Sequence, residues 1–553
     1  MFRTVWSKTL RQYRVPALCW GCGLAFFLLA SLAGYATQVP DAAARASIAQ
    51  LVQSLRFFGE PVAATTPEGY VTWRIMGMAL PVLLSIWTLL AGARLLRGEE
   101  ERGSMDLLLA TPYSRVRLAL EKLGALVIAL IFIGVLIGVG AIAGEAGAKI
   151  TVNAGRALLA GLNISLIALF FASLALLLSQ FLRNPGAAAS WTGGLLALSV
   201  LLDGTGRALD NGEWLRRFSP LYYYNANKPL IITYTGKPWS PLVLLALIII
   251  FVLVSVLLFR MRDIGMGALS GWTQQGARKQ QTPEQLLARA EHALPNRAIG
   301  LQALRAQAVP AFWWLLGLVA YVACTTLVTP AMLKPLQQVT GGSPLLKNMF
   351  SGHDIGTNAG FLSFIVFDLA SVLVVVFAFN QALHWSSDLE RGRMELVFAT
   401  PRSRVRILLE RFAAVLLMVL AAPLLIWLTV MLCAHTVDLS VDGTKVAIAA
   451  LSILPLELVV AAFVYALAAR VHTGIITAII SAYLAIAFVI IEMLQSLLKW
   501  PRWTMSLSIF YDYGSPIRDG WNWGALLGML GVSALLLLIA VVQFRQSDIE
   551  RGI

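Results

Sequence analysis

Glu101-Arg-Gly-Ser-Met-Asp-Leu-Leu-Leu-Ala-Thr-Pro112 returns later in the chain as Glu390-Arg-Gly-Arg-Met-Glu-Leu-Val-Phe-Ala-Thr-Pro401. Over 101–123 against 390–412, 14 of 23 positions are identical without a gap, at an offset of 289 residues. Three further pairs of matching segments have offsets of 294, 287 and 285 residues, and they begin at Leu10 and Leu304, Tyr224 and Tyr511, and Phe259 and Phe544. Because the offset drifts slowly, the second half of the chain is predicted to be a copy of the first.

The composition places both copies in a membrane. Of the 553 residues, 58% are hydrophobic and 13% are charged, and the mean hydropathy is +0.75. Soluble domains have about 25% charged residues, so a soluble enzyme and a disordered protein are both excluded as the main architecture. The net charge of +14 is attributed to basic cytoplasmic loops rather than to binding of nucleic acid.

Apolar runs of about 20 residues, enough to span a bilayer, occur twelve times, six in each copy. They lie at 16–36, 71–93, 119–144, 155–182, 187–203, 239–260, 310–331, 359–384, 407–434, 445–470, 474–497 and 522–544. An even number of spans gives both copies one orientation. The predicted fold is therefore an all-α polytopic membrane protein with about twelve transmembrane helices in two parallel six-helix repeats. The predicted domains are residues 1–262, a cytoplasmic linker at 263–300, and residues 301–553.

Basic residues predict the orientation of the spans. The amino-terminal segment, the linker and both duplicated loops are basic, which places them and both termini in the cytoplasm. Loop 204–238 is basic too, and nothing in the sequence accounts for its charges. On the same outer side, residues 41–58 place Ile48, Leu51 and Leu55 at helical spacing, which predicts a helix lying on the membrane interface.

The duplicated loop predicts a short amphipathic helix. Glu99 to Glu101 are placed where such a helix would begin, because carboxylates favour the positive end of a helix dipole. The helix runs through Met105 to Leu109, and Thr111 before Pro112 ends it. One interpretation is a surface loop whose arginines bind lipid phosphates. The likeness of the copies favours a surface for a partner protein.

The pattern E-x-G-x-M-(D/E)-L-x-x-A-T-P-x-S-R resembles the coupling region of ABC-2 type transporter permeases. The duplicated twelve-span layout is similar to exporters of polyketide antibiotics of the tetronasin-resistance type. The resemblance implies that each loop docks on one copy of a separate nucleotide-binding ATPase subunit, which binds ATP and Mg, so that this chain binds no cofactor. It also implies a set of ATPase-coupling residues in each copy: Glu101, Arg102, Gly103, Met105, Asp106, Thr111, Pro112 and Arg115, then Glu390, Arg391, Gly392, Met394, Glu395, Thr400, Pro401 and Arg404.

No enzyme site is predicted in the chain. A G-x-x-x-x-G-K-[ST] phosphate loop is absent from the sequence, so ATP hydrolysis is expected in the partner. The five histidines show no metal-binding spacing, and no nucleophile and base pair can be chosen. The prediction is a non-enzymatic chain with no catalytic residues and no metal.

Three carboxylates inside the predicted spans are candidates for a substrate pathway: Asp368, Glu457 and Glu492. Ionisable groups at such depth are costly and by default indicate function. Asp368 and Glu457 could instead carry protons or ions in a secondary transporter, which is the alternative hypothesis. The leading hypothesis is the permease of an ATP-driven exporter in a bacterial cytoplasmic membrane, because the apolar spans suit a hydrophobic or amphipathic substrate.

Overall fold

A computed structural model of the chain describes most of its residues. These are residues 5–38, 41–101, 103–110, 113–148, 150, 153–182, 184–209, 211–263, 299–340, 357–390, 402–471 and 508–546, with seven single positions between 473 and 484. They fall into two compact units, Met1–Gln280 with Lys334–Leu346, and Gln281–Leu333 with Lys347–Ile553. The predicted domain boundaries stay a prediction.

The described residues form helices and no strands. The helices of the first copy are α1 (Val5–Gln38), α2 (Ala42–Ser54), α3 (Pro67–Val71), α4 (Ala79–Arg94), α5 (Arg97–Glu101), α6 (Ser104–Leu109), α7 (Arg115–Gly147), α8 (Ala154–Phe181), α9 (Pro185–Ala208), α10 (Glu213–Arg216), α11 (Pro220–Asn225) and α12 (Ser240–Met261). Those of the second copy are α13 (Ile299–Thr340), α14 (Asn358–Leu362), α15 (Asp368–Glu390), α16 (Arg404–Thr436), α17 (Gly443–Leu451), α18 (Leu454–Val471), α19 (Ile509–Tyr513), α20 (Pro516–Asp519) and α21 (Trp523–Gln546).

Eleven helical segments within the described residues are long and apolar enough to cross a membrane. They are Val5–Tyr35, Pro67–Arg94, Arg115–Gly147, Ala154–Phe181, Pro185–Ala208, Ser240–Met261, Gly300–Leu333, Asn358–Leu389, Arg404–Thr436, Gly443–Val471 and Trp523–Gln546. The all-α polytopic fold is confirmed. The predicted span 474–497 lies almost wholly outside the described residues.

In the first unit, α8 is the central helix. It packs against α4, α7, α9 and α12, while α1 packs along α7. Close approach is possible because small residues line the contacts. A Cβ added to Gly161 on α8 would lie 2.0 Å from the carbonyl oxygen of Gly134 on α7. In the second unit, α18 packs between α15 and α21, and α16 contacts both α15 and α18.

The second span of each copy begins in the same way. The side chains of Thr66 and Thr357, 291 residues apart, cap the first turn by accepting hydrogen bonds from Gly69 N and Gly360 N at 3.1 Å. One α-helical turn is followed in both copies by a π-helical turn, Thr72–Met76 and Ser363–Phe367. A π turn leaves carbonyl groups for other donors.

Those carbonyls accept hydrogen bonds from neighbouring helices. In the first copy the Tyr224 hydroxyl donates to Met76 O at 2.7 Å, and Asn225 Nδ2 donates to Gly77 O at 3.1 Å. In the second copy the Tyr321 hydroxyl donates to Ile365 O. The duplication therefore extends to local backbone geometry.

The helix predicted within residues 41–58 exists as α2, but its environment differs from the expectation. Its apolar residues Ile48, Leu51, Val52 and Leu55 are all buried by protein. The apolar face of α2 is therefore directed into the protein and is not offered to a lipid interface.

Candidate coupling loop and the charges beneath it

The first duplicated loop consists of two short helices with a break between them. α5 ends at Glu101, Gly103 adopts a left-handed conformation with φ of +67°, and α6 begins at Ser104. Glycine adopts this conformation without steric cost. The prediction that Glu99 to Glu101 begin the amphipathic helix is therefore wrong, because these carboxylates end the preceding helix and Glu99 and Glu100 bind basic side chains instead.

α6 presents a small acidic and apolar surface. The Leu107 side chain is 75% exposed, and Glu101, Gly103 and Asp106 are also exposed. Met105 is only 1% exposed, so it anchors the helix and does not form part of the accessible surface. Of the other predicted residues of this loop, the structure describes only Arg115, and the remaining three, Arg102, Thr111 and Pro112, lie outside the described residues.

Glu99 attaches the loop to the first and third spans. Lys122 Nζ on α7 donates to Glu99 Oε1 at 2.9 Å, and Lys8 Nζ on α1 lies 3.5 Å from the same oxygen. Ser104 donates to the other carboxylate oxygen. Burial alone would raise the pKa of Glu99, but the hydrogen bonds from Ser104 and Lys122 outweigh it and lower this pKa to about 2. The carboxylate is therefore ionised at every physiological pH.

Glu100 attaches the loop to the fourth and sixth spans. Its Oε2 accepts from Arg97 Nη1 at 2.8 Å and from Arg262 Nη1 at 3.0 Å, and Arg262 also donates to Oε1. Arg97 Nε donates to Ser179 O at 2.8 Å, and Arg262 Nε donates to Gln180 Oε1 at 3.0 Å. We call Arg97, Glu100, Gln180 and Arg262 the charged clamp. All four side chains are buried, so each charge depends on its partners.

Arg115 lies at the start of the third span and is directed at the end of the sixth. Its Nη1 donates to Arg262 O at 2.7 Å. Ser114 caps the helix that Arg115 begins by accepting from Arg117 N at 3.2 Å. In this structure Arg115 therefore satisfies carbonyl groups at the carboxyl end of α12.

The second loop lies mostly outside the described residues. The structure describes the backbone of Glu390, the last residue of α15, and the exposed Arg404 at the start of α16. It does not describe the side chain of Glu390 or any part of Arg391, Gly392, Met394, Glu395, Thr400 and Pro401. The base of this loop repeats one contact of the first. Arg411 Nη1 donates to Asp388 Oδ2 at 2.6 Å, at the positions that Lys122 and Glu99 occupy in the first copy.

An aromatic cluster lies at the end of the second span of the second copy. Trp385 on α15 is stacked on Tyr465 of α18, with ring centroids 5.5 Å apart and planes within 5°. Phe544 of α21 meets the Trp385 ring edge-on at 5.3 Å, and the Arg411 guanidinium lies 5.6 Å from its centroid. We call Trp385, Tyr465 and Phe544 the aromatic cluster. It joins the second, fourth and sixth spans of its copy.

Comparison with protein families gives two matches that together cover most of the chain. The model of the ABC-2 family transporter proteins matches residues 3–264. The model of the C-terminal domain of the multidrug efflux system permease Rv1217c matches residues 296–545. The chain belongs to the ABC-2 type transporter permeases. No curated protein was found to match the permease.

The carboxylates predicted inside the spans of the permease have different surroundings. Asp368 is half-buried and directly follows the π turn of the second copy. Glu457 is 0% exposed and lies in the first turn of α18. Neither carboxylate oxygen of Glu457 has a hydrogen-bond partner among the residues that the structure describes. Glu492 lies outside them.

The turn before Glu457 divides the fourth span of the second copy. α17 ends at Leu451 and α18 begins at Leu454, directly before Pro455, which lacks the N–H group that a continuous helix needs. Ile453 N bonds to Ala450 O instead of the carbonyl of Ala449. The Tyr513 hydroxyl donates to that freed carbonyl at 3.2 Å.

The structure explains three of the basic residues of loop 204–238, Arg207, Arg216 and Lys228. Asp203, fully buried at the end of α9, accepts from Arg207 and, at 3.1 Å, from Arg216 Nε. Glu60 accepts from Lys228, and Arg216 Nη1 lies 3.6 Å from its Oε1. Burial would raise the pKa of Glu60, but Lys228 and Arg216 hold it below its usual range. These three cations are paired with one buried and one half-buried carboxylate, which accounts for their presence in this loop.

Sequence reasoning missed these pairs for two reasons. Glu60 is distant in the chain from Lys228 and Arg216, and Asp203, although only four residues before Arg207, was counted as part of an apolar span. A signal existed: a carboxylate at the edge of an apolar run needs a cation nearby. The same signal applies to Glu100 and Arg262, which are separated by 162 residues. Within the described residues, no group of His, Cys, Asp and Glu side chains is arranged to hold a metal ion.

Proposed function

We propose that this permease exports a hydrophobic or amphipathic compound, driven by ATP hydrolysis in two copies of a separate nucleotide-binding subunit. One ATPase copy docks on each duplicated loop. The loops and both termini lie on the cytoplasmic side of a bacterial plasma membrane. The chain itself binds no cofactor, and ATP and Mg belong to the partner.

The surface of the first loop is the observation that supports this proposal. Leu107 is an exposed apolar side chain that follows the exposed Asp106, and Glu101 of the same loop is exposed as well. Beneath it, Glu99 and Glu100 are bound to four basic side chains that hold the loop against the spans. An exposed recognition surface on a fixed base is suited to receiving force from a partner.

The test is co-purification of tagged permease from its native membranes in mild detergent. We expect a P-loop ATPase in the eluate. The charge reversals Glu101→Arg with Asp106→Arg should lower its yield, because they change the exposed surface without touching the buried base. The matched control is Asp41→Arg, an exposed acid at the other end of the first unit.

Two results would contradict the proposal. One is recovery of the permease without an ATPase, together with transport that survives ATP depletion and follows a proton gradient. The other is an equal loss of ATPase in the Asp41 control. The first result would direct attention to Asp368 and Glu457 as proton carriers.

Asp368 and Glu457 are proposed to contribute to the substrate pathway of the second copy. Glu457 supports this role because its carboxylate is buried next to a helix break, where a small movement changes its surroundings. Glu457→Gln removes the ionisable group and keeps the shape. We expect it to alter which compounds stimulate ATP hydrolysis and to leave ATPase co-purification unchanged.

A further inference from the structure

The segment that carries the first coupling surface is not a rigid extension of the second span. α4 ends at Arg94, and the chain turns through Leu95 and Leu96 before α5 begins. On its other side α5 is separated from α6 by the left-handed Gly103. Both covalent connections of α5 are therefore helix breaks, at which backbone direction changes readily.

The second copy lacks the first of these breaks. α15 continues from Asp368 to Glu390, the equivalent of Glu101. The offset between the copies falls from 291 residues at Thr66 and Thr357 to 289 at Glu101 and Glu390, so the first copy has two additional residues between these points. Those residues are Gly77 and Met78, which separate the π turn from α4 in the first copy, whereas α15 follows the π turn of the second copy directly. The break at Leu95 and Leu96 is therefore a separate difference between copies that are aligned without a gap from Ala79 and Asp368 onward.

In the second copy a continuous helix leads from the second span to Glu390. In the first copy the helix is interrupted, and side-chain bonds hold the start of the loop in place. The charged clamp joins α5 to the end of α8 through Ser179 and Gln180, and to the end of α12 through Arg262. A guanidinium that bonds both oxygens of a carboxylate fixes direction as well as distance. Arg262 is the one member of the clamp that belongs to the sixth span's end, and it binds Glu100 and Gln180 together.

Residues that could build such a clamp are missing from the second copy. Ser386 and Leu389 stand where Arg97 and Glu100 stand in the first copy, and Ser547 stands in place of Arg262. The position of Gln180 falls within the apolar run 467–469. The clamp is therefore particular to the copy in which the helix is interrupted.

We propose that Arg262 is a positioning residue of the first coupling loop. Through Glu100 it makes the interrupted loop move with the ends of the fourth and sixth spans, so that displacement of the loop is passed to these two spans. The transmission rests on the proposed docking of an ATPase, whereas the tethering of the loop does not.

Hydrogen–deuterium exchange on the full-length permease in lipid nanodiscs tests the tether. Arg262→Met should speed amide exchange across 97–110 by about tenfold or more, because a buried carboxylate loses a bidentate partner. Arg262→Lys, which keeps the charge, should restore part of the protection. The matched control is Arg260→Met, which removes an exposed charge two residues away and should change nothing.

The transmission is tested by adding the co-purifying ATPase with a non-hydrolysable ATP analogue. In the native permease and in Arg260→Met, exchange should change at 176–182 and 256–262. In Arg262→Met the ATPase should still bind, but that change should be lost, and Arg262→Lys should recover part of it. If Arg262→Met acted only by disturbing the fold, amide exchange would instead change along the whole of α8 and α12.

The two proposals fail in different ways. Unchanged protection of 97–110 in Arg262→Met would overturn the tether. A full response at 176–182 and 256–262 in Arg262→Met would overturn the transmission. If no ATPase co-purifies with the native permease, the proposed function fails, while the result on the tether in the permease alone still stands.

Discussion

The two copies join the same three spans with different chemistry. In the first copy α5, the short helix after the second span, meets the ends of the fourth and sixth spans in the charged clamp, centred on Glu100 and Arg262. In the second copy the equivalent spans meet in the aromatic cluster, centred on Trp385. The position of the junction is shared, and so is one buried phenylalanine, Phe259 in the first copy and Phe544 in the second. The interactions at the centre of the junction differ, which indicates that the joining of these spans matters more than the type of interaction that joins them.

The two types of interaction are nevertheless expected to respond differently to mutation. Guanidinium–carboxylate bonds are directional, and losing one partner leaves a buried charge uncompensated. Stacked rings contribute through buried area and tolerate small lateral shifts. We therefore expect the first junction to hold its geometry strictly and to fail abruptly, and the second to yield gradually.

The largest effect is expected from Trp385→Ala. Trp385 is fully buried between two helices, and truncating such a ring costs about 3–5 kcal/mol. Unfolding of the permease in mixed detergent micelles, followed by denaturant titration, should show this loss. The matched control is Trp523→Ala, whose ring is 64% exposed; an equal loss there would contradict the aromatic cluster.

A smaller effect is expected from Glu100→Gln. It leaves Arg97 and Arg262 buried without their carboxylate, at a cost of about 3 kcal/mol. A triple variant that takes the second copy's residues, Glu100→Leu with Arg97→Ser and Arg262→Ser, removes the charges together.

The triple variant should be more stable than the sum of its three single changes predicts, because no unpaired charge remains. The same denaturant titrations measure this difference. Strict additivity of the three changes would show that the charged clamp does not act as a unit.

Changing the pH near neutrality should affect the stability of the first loop still less. The folded-state pKa of Glu99 is lowered to about 2, so its contribution to stability is present above the unfolded pKa of about 4.3 and is lost as the pH falls toward 2. Exchange across 97–110, corrected for intrinsic rates, should be the same at pH 7 and pH 5. Loss of protection between those values would contradict the assignment.

The smallest effect on stability is expected from removing an exposed ion pair that both copies share, and it should be equal in the two copies. Arg117 pairs with Glu121 at 2.9 Å, and Arg406 pairs with Glu410 at 2.8 Å, each one helical turn apart with an exposed arginine. Exposed pairs of this kind contribute about 0.3–0.5 kcal/mol. Arg117→Gln and Arg406→Gln should therefore shift stability equally and slightly, and a large difference would show that these surfaces have diverged too.

Patterns that are local in the chain predicted most of the fold. Apolar length alone identified the spans, including the short run at 187–203, which the structure extends to Pro185–Ala208. The duplicated loop was found because its copies match residue by residue. The break at Gly103 could also have been predicted from the sequence, because a glycine between short helical segments favours a positive φ.

Contacts between distant residues could not be predicted. Arg262 meets Glu100 only because the sixth span ends beside the first loop, and no spacing in the sequence expresses that. The basic residues of 204–238 stayed unexplained in the sequence because Glu60 lies in another segment and Asp203 was counted within the preceding span. Charges at the edges of apolar runs should be matched to each other before they are counted as loop charges.

Native mass spectrometry of the complex purified from native membranes counts the ATPase copies that dock on the two duplicated loops. We expect one permease chain with two ATPase copies. Glu101→Arg with Asp106→Arg should reduce them to one, as should Glu390→Arg with Glu395→Arg, and all four changes together should leave none. A complex that holds no ATPase, or one that keeps both copies when both loops are reversed, would contradict this expectation.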